Sequence, residues 1–253
     1  MPKPIAVLCP MDCEYEYLAA RLQNAAETAV GDYRFQSGTV NGYPVTVIRC
    51  LIGAVNAAAA AVVAMERLHP CCMILQGTAG GHHPKIRQND IVLGENIVEY
   101  ASYVTPRRAS GEGISVLDWQ YIGAQTVTDG KLTRTAVFHS DGRLLQAAMA
   151  VPYKHGVLKR GTMVSGDMWN RELDRIAFLH ERLHSDCEEM ESAAVAQVCK
   201  QFSLPMLAVR VISNNELYPD QPFRKSAAEY GQKFCFDLLD AWTKNPGNLL
   251  DKL

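Results

Sequence analysis

Two acidic positions draw notice because of what precedes and follows them. Glu14 comes just after the apolar run Ile5-Ala6-Val7-Leu8-Cys9, and Glu189-Met190-Glu191 opens an alanine-rich segment. Acids at a helix start are commonplace, since the macrodipole favours them. A carboxylate so placed can also accept hydrogens from two vicinal sugar hydroxyls, one on each oxygen, or take a proton from water. Gly77-Thr78-Ala79-Gly80-Gly81 would let backbone approach a ligand closely, although the same residues suit a plain tight turn. It carries no Walker A lysine, and no helix with a following acidic ribose binder makes it a dinucleotide fingerprint. Cys71-Cys72 and His82-His83 are adjacent pairs that a strand would point to opposite faces, without metal-ligand spacing. No metal and no cofactor are expected.

The elements that must position these groups follow from the apolar periodicity. Residues 5–9 read as a buried strand ended by Pro10, and residues 14–24 have helical spacing, with Tyr17, Leu18 and Leu22 on one side. Residues 33–38 and 44–50, joined by Asn41-Gly42, form a hairpin. An alanine-rich helix covers 56–68, a strand 72–76 runs into the glycine loop, and another strand covers 90–98. From about 100 to 141 the periodicity fades into a long excursion or short hairpins, the kind of segment that is functional or contacts a partner. Beyond it the pattern gives helix 142–151, strand 157–164, helix 171–183, helix 191–202, strand 206–212 and helix 226–242. The alternation implies a single α/β domain over 1–253, its mixed, mostly parallel central sheet flanked by helices on both faces. Ligands of such sheets sit at the carboxyl ends of strands. There the sequence places Glu14, the 77–81 loop, Ser165-Gly166-Asp167, Glu189-Met190-Glu191 and Ser213-Asn214.

With 253 residues, 48 % hydrophobic, the chain can bury a sizeable core. A formal net charge of −2 provides no basic field for nucleic acid or an anionic membrane, so a small molecule is the expected ligand. The eight cysteines lie mostly in apolar segments, and the opening apolar run is too short for a secretory signal. A reduced, cytoplasmic setting is expected.

Six motifs in register resemble the methylthioadenosine/S-adenosylhomocysteine nucleosidases, of the nucleoside phosphorylase-like fold. They are Met11-x-x-Glu14, Gly77-Thr78-Ala79-Gly80-Gly81, Asn89-Asp90-Ile91-Val92, Ser165-Gly166-Asp167, Glu189-Met190-Glu191-Ser192-Ala193-Ala194 and Val209-Arg210-x-Ile212-Ser213. The resemblance runs from about residue 5 to 214 and loosely through the last helix; only 105–140 looks longer than in compact members. It implies a purine nucleosidase in which Glu14 activates the attacking water. Glu191 would hold the ribose hydroxyls, with Glu189, Met190 and Arg210 beside it, and Thr78, Ala79 and Gly80 would line the substrate. Trp169 would stack on the purine and the Asn170 backbone meet its edge. Ser213 would orient residue 214. The family is dimeric, so Val104 would reach a neighbouring subunit's site.

One position departs from the pattern. The family's general acid is an aspartate directly after this Ile-Ser, and here it is Asn214. An amide can hydrogen-bond a purine nitrogen but cannot deliver a proton, and acid catalysis is typically worth about 10²–10⁴-fold. Three readings stay open: a nucleosidase for 5′-modified adenosines, a nucleosidase for a 6-oxopurine nucleoside such as futalosine or inosine, and a nucleoside-binding protein with little turnover. Phosphorolysis is disfavoured, because Asp12 and Glu14 would repel phosphate.

Overall fold

The computed structural model describes residues 2–253. The continuous apolar runs become buried strands β1 (Ile5–Cys9), β5 (Cys72–Gly81), β6 (Ile91–Glu99), β12 (Leu158–Ser165) and β14 (Met206–Asn214). The Asn41-Gly42 turn joins β3 (Tyr33–Val40) to β4 (Tyr43–Arg49), both central turn residues taking the positive φ that a tight hairpin needs. Helices are α1 (Asp12–Ala19), α2 (Ala54–Leu68), α3 (Gly142–Met149), α4 (Leu173–Leu183), α5 (Ser192–Gln201) and α6 (Ala227–Lys244).

Two expectations need correction and a third is resolved. The helix expected over 14–24 stops at Ala19, and strand β2 (Gln23–Val30) follows, an exposed edge strand antiparallel to β3. Its small and polar residues carry no burial alternation that a sequence reading could detect. Second, the glycines at 77–81 do not form a loop: they are the second half of β5. Gly80 and Gly81 there pair with Glu188 and Cys187 of a three-residue strand β13 (Cys187–Glu189), itself too short to be read from pattern. Third, of the two readings of residues 100–141 the short hairpins hold: β7 (Tyr103–Val104) with β8 (Gln120–Tyr121), the hairpin of β9 (Ala124–Thr128) and β10 (Lys131–Thr135), and β11 (Val137–Phe138) on the edge of β6.

The sheet is mixed, in the order β11-β6-β12-β13-β5-β1-β4-β3-β2. Parallel pairing joins β4, β1, β5 and β14, while β14 also pairs antiparallel with β6. Strands β6, β12, β13, β5 and β14 therefore form a closed ring of pairings. Alternation along β1 divides the core. Ile5, Val7 and Cys9 face α1, α3 and α6, whereas Ala6 and Leu8 face the alanine-rich α2 and α5. The small side chains of α2 and α5 let these two helices pack against each other and close to the strands.

Helix α1 is short, and a side chain of α6 bonds to its backbone. The buried Gln232 of α6 accepts from the Tyr17 N–H (2.8 Å) and donates to the Cys13 carbonyl (2.7 Å), two groups that an uninterrupted α-helix would pair directly. This clamp fixes the turn that carries Glu14. Gln232→Leu removes both side-chain bonds to this backbone, so it is expected to destabilise the protein by about 1–3 kcal/mol in urea unfolding. An unchanged midpoint and slope would show that α1 closes its own ladder.

Candidate active site

A cleft holding about 760 Å³ of space, open to solvent, lies at the carboxyl ends of β1, β5, β12, β13 and β14. Its floor is polar and buried. Glu14, in the first turn of α1, accepts from the Met11 N–H (2.9 Å) with one oxygen and from the Thr78 N–H (2.7 Å) with the other. Burial pushes its carboxyl above the ordinary range, against the pull of Arg210 and these N–H donors.

Arg210 stands on β14, fully buried. One of its terminal nitrogens donates to Glu189 and to Glu191 (2.9 Å), and the other reaches the Thr78 carbonyl at 3.4 Å. Burial works against its charge, but Glu189, Glu191 and Glu14 together keep its pKa above the ordinary arginine value. Glu191 accepts in addition from the Gly53 N–H at the start of α2 (2.8 Å). Its carboxyl is pushed up to about 7, first by burial, with Arg210 opposing and Glu189 adding. Glu189 is differently employed: besides Arg210 it caps α5, accepting from the N–H groups of Glu191 (3.0 Å) and Ser192 (2.9 Å). Gly77 makes this arrangement possible. A Cβ there would collide with the Arg210 guanidinium and come within 3.1 Å of Glu14. The first glycine of the run thus makes room for side chains of the floor.

At the other end of the cleft, the Ser213 hydroxyl lies 2.9 Å from Asn214 Oδ1 and 3.2 Å from the Ala79 carbonyl. Asn214 Nδ2 donates to Glu216 Oε1 (3.2 Å), and Glu216 Oε2 meets Arg171 Nε at 3.3 Å. Trp169, 62 % exposed, forms one wall edge-to-face with Phe223, their ring centroids 5.4 Å apart. Asn170 is buried, with its Nδ2 unpartnered and its Oδ1 accepting from the Glu172 N–H. Thr78, Ala79, Gly80 and Met190 also line the cleft. Val104 does not: it sits half-exposed on β7, paired with Gln120.

Sequence reading singled out none of Glu216, Phe223, His82 and Glu188 as lining residues. Glu188 and His82 form a buried pair (2.9 Å), completed by Tyr100 on Glu188 and by Ser185 on the other imidazole nitrogen (3.0 Å). Only the three-dimensional ring of strands brings these residues together; no spacing announces them.

A sequence profile of the phosphorylase superfamily matches residues 4–239. A 5′-methylthioadenosine/S-adenosylhomocysteine nucleosidase of Anoxybacillus flavithermus is 31 % identical over 213 residues, covering 83 % of this chain and 84 % of that one. The chain belongs to this nucleosidase family. The Neisseria meningitidis nucleosidase, solved in complex with methylthio-immucillin-A, superposes with a TM-score of 0.78 at 25 % identity, over 94 % of this chain and 99 % of that one. Futalosine hydrolase of Helicobacter pylori shares the fold, with a TM-score of 0.77 at 22 % identity over 94 % and 97 % of the two chains. The six motifs that suggested the nucleosidase family all fall on the strands, helix starts and loops described above, and four of them border the cleft.

Glu191 supplies a test of the charge balance in this nucleosidase-family cleft. Its pKa is raised on folding, so between about pH 4.5 and 7 the folded chain holds a proton that the unfolded chain releases. Rising pH through that window therefore removes stability. Relative to Glu191→Gln, the wild type is expected to lose on the order of 2 kcal/mol between pH 5 and 8 in urea unfolding. Parallel pH dependences for the two proteins would contradict this account.

Proposed function

We propose that this chain hydrolyses the N-glycosidic bond of 5′-modified purine nucleosides of the methylthioadenosine/S-adenosylhomocysteine type, releasing the purine base. The observation that carries the reading is the cluster at the cleft floor: three buried carboxylates around one guanidinium. Glycosidic cleavage develops positive charge on the sugar, and a site with surplus fixed negative charge stabilises it. In this reading Glu14 takes a proton from the attacking water, as its raised pKa suits a base working near neutrality. Glu191 accepts from the ribose hydroxyls, and Trp169 with Phe223 holds the base. Hydrolysis is preferred to phosphorolysis because Arg210, the cation on the floor, is already engaged by carboxylates.

Asn214 supports a second reading, hydrolysis of a 6-oxopurine nucleoside. With Oδ1 engaged by Ser213, its Nδ2 is the group left to meet a base, and an N–H donor matches N7 and O6 better than a 6-amino group. The expected assembly is a homodimer in which the Val104 segment approaches the partner's cleft. Exposed Val104, Ile114 and Leu117 in that stretch support it. The eight free cysteines, most of them buried, are consistent with a reducing cytoplasm. Among the described residues no helix is long and apolar enough to cross a membrane.

Two experiments follow. Glu14→Gln keeps the shape and removes the base, so release of adenine from methylthioadenosine, or of hypoxanthine from inosine, should fall by about 10²-fold or more while substrate still binds. Turnover above one-tenth of wild type would remove Glu14 from the role. Light scattering at micromolar concentration should give a dimer, and a fully active monomer would refute the assembly.

A further inference from the structure

The leaving purine needs a proton, and Asn214 has none to give. We propose that Glu216 is the proton donor to the departing base, a role that rests on the nucleosidase reading above. The argument begins with what the other ionisable groups of the cleft are doing. Glu14 and Glu191 lie at the sugar end, held by backbone N–H groups and Arg210. Both oxygens of Glu189 are taken up by Arg210 and the start of α5. Glu188 gives its two oxygens to His82 and Tyr100, and His82 spends both ring nitrogens on Glu188 and Ser185. Among the described residues lining the cleft, Glu216 is the carboxyl group in contact with Asn214, its Oε1 3.2 Å from the amide nitrogen.

Its surroundings suit proton transfer. The carboxyl is part-buried, with 19 % of its side chain exposed, and so borders both cleft and solvent. Its outer oxygen meets Arg171, an exposed side chain that fixes its direction. In the step proposed, the bond from C1′ to the purine breaks and its electron pair goes to the base. The Glu216 proton goes to a ring nitrogen. Water adds through oxygen to C1′ and gives its proton to Glu14, and exchange with solvent returns Glu14 and Glu216 to their starting states. One water is consumed and the protons balance. Asn214 then serves as a hydrogen-bond donor that aligns the base beside the acid.

The test is Glu216→Gln, which keeps an oxygen for the Asn214 amide and removes the acidic proton. It is run with methylthioadenosine and inosine from pH 5 to 9. The expected result is a kcat lower by about 10²-fold or more with KM nearly unchanged. Adding Asn214→Asp to Glu216→Gln should recover at least tenfold, and Glu216→Asp should retain more activity than Glu216→Gln. Melting temperature checks that each variant is folded. A Glu216→Gln enzyme within threefold of wild type, or one that Asn214→Asp does not rescue, overturns the proposal while leaving the nucleosidase reading in place. A wild type that releases no base from either nucleoside overturns both.

Discussion

Everything at the floor of the cleft is arranged around a single buried guanidinium. Arg210 has no water to solvate it, and taking a charge out of water costs several kcal/mol even after the protein relaxes. Its carboxylate partners offset that cost but overshoot it: Glu189, Glu191 and Glu14 outnumber the cation. The excess is tolerated because each acid also accepts from backbone N–H groups, and those belong to the first turns of α1, α2 and α5. Three helix starts with their positive dipole ends thus converge on the same point. The raised carboxyl pKa values of Glu14 and Glu191 record first the burial of these groups, and for Glu191 also its acidic neighbours. Such a cluster adds little to stability, and its organising consequence is a floor that is poised to receive positive charge.

Much of the sheet could be read from sequence because a strand buried on both faces must be apolar throughout. β1 met that condition over its whole length, and β5, β6, β12 and β14 each met it over a buried apolar stretch. β2 did not, since it lies at an edge with nearly every residue exposed and owes its form to pairing with β3. β13 reads as acid rather than strand, because Glu188 and Glu189 are buried only by virtue of His82, Tyr100 and Arg210, all remote in sequence.

The candidate site was legible to the same degree. Glu14 and Glu191 could be singled out as acids next to apolar runs, but the pairing of Glu191 with Arg210, and the place of Glu14 beside that cation, required the register between β5 and β14. Gly77 shows how a correct emphasis can carry a wrong cause. Its lack of a side chain matters, yet what fills the space is Arg210 and Glu14. Glu216 had no signal at all: it lies in a loop, two residues past the end of the strand pattern, and gains its interest from one amide contact.

The clamp of Gln232 on α1 sets an order of events. Glu14 belongs to α1, and the side chain that clamps this helix is separated from Tyr17 by 215 positions. Until α6 has been made, the turn bearing Glu14 lacks its clamp. A chain cut short before α6 would carry every strand of the sheet and still lack this clamp, so α6 acts as a check on α1.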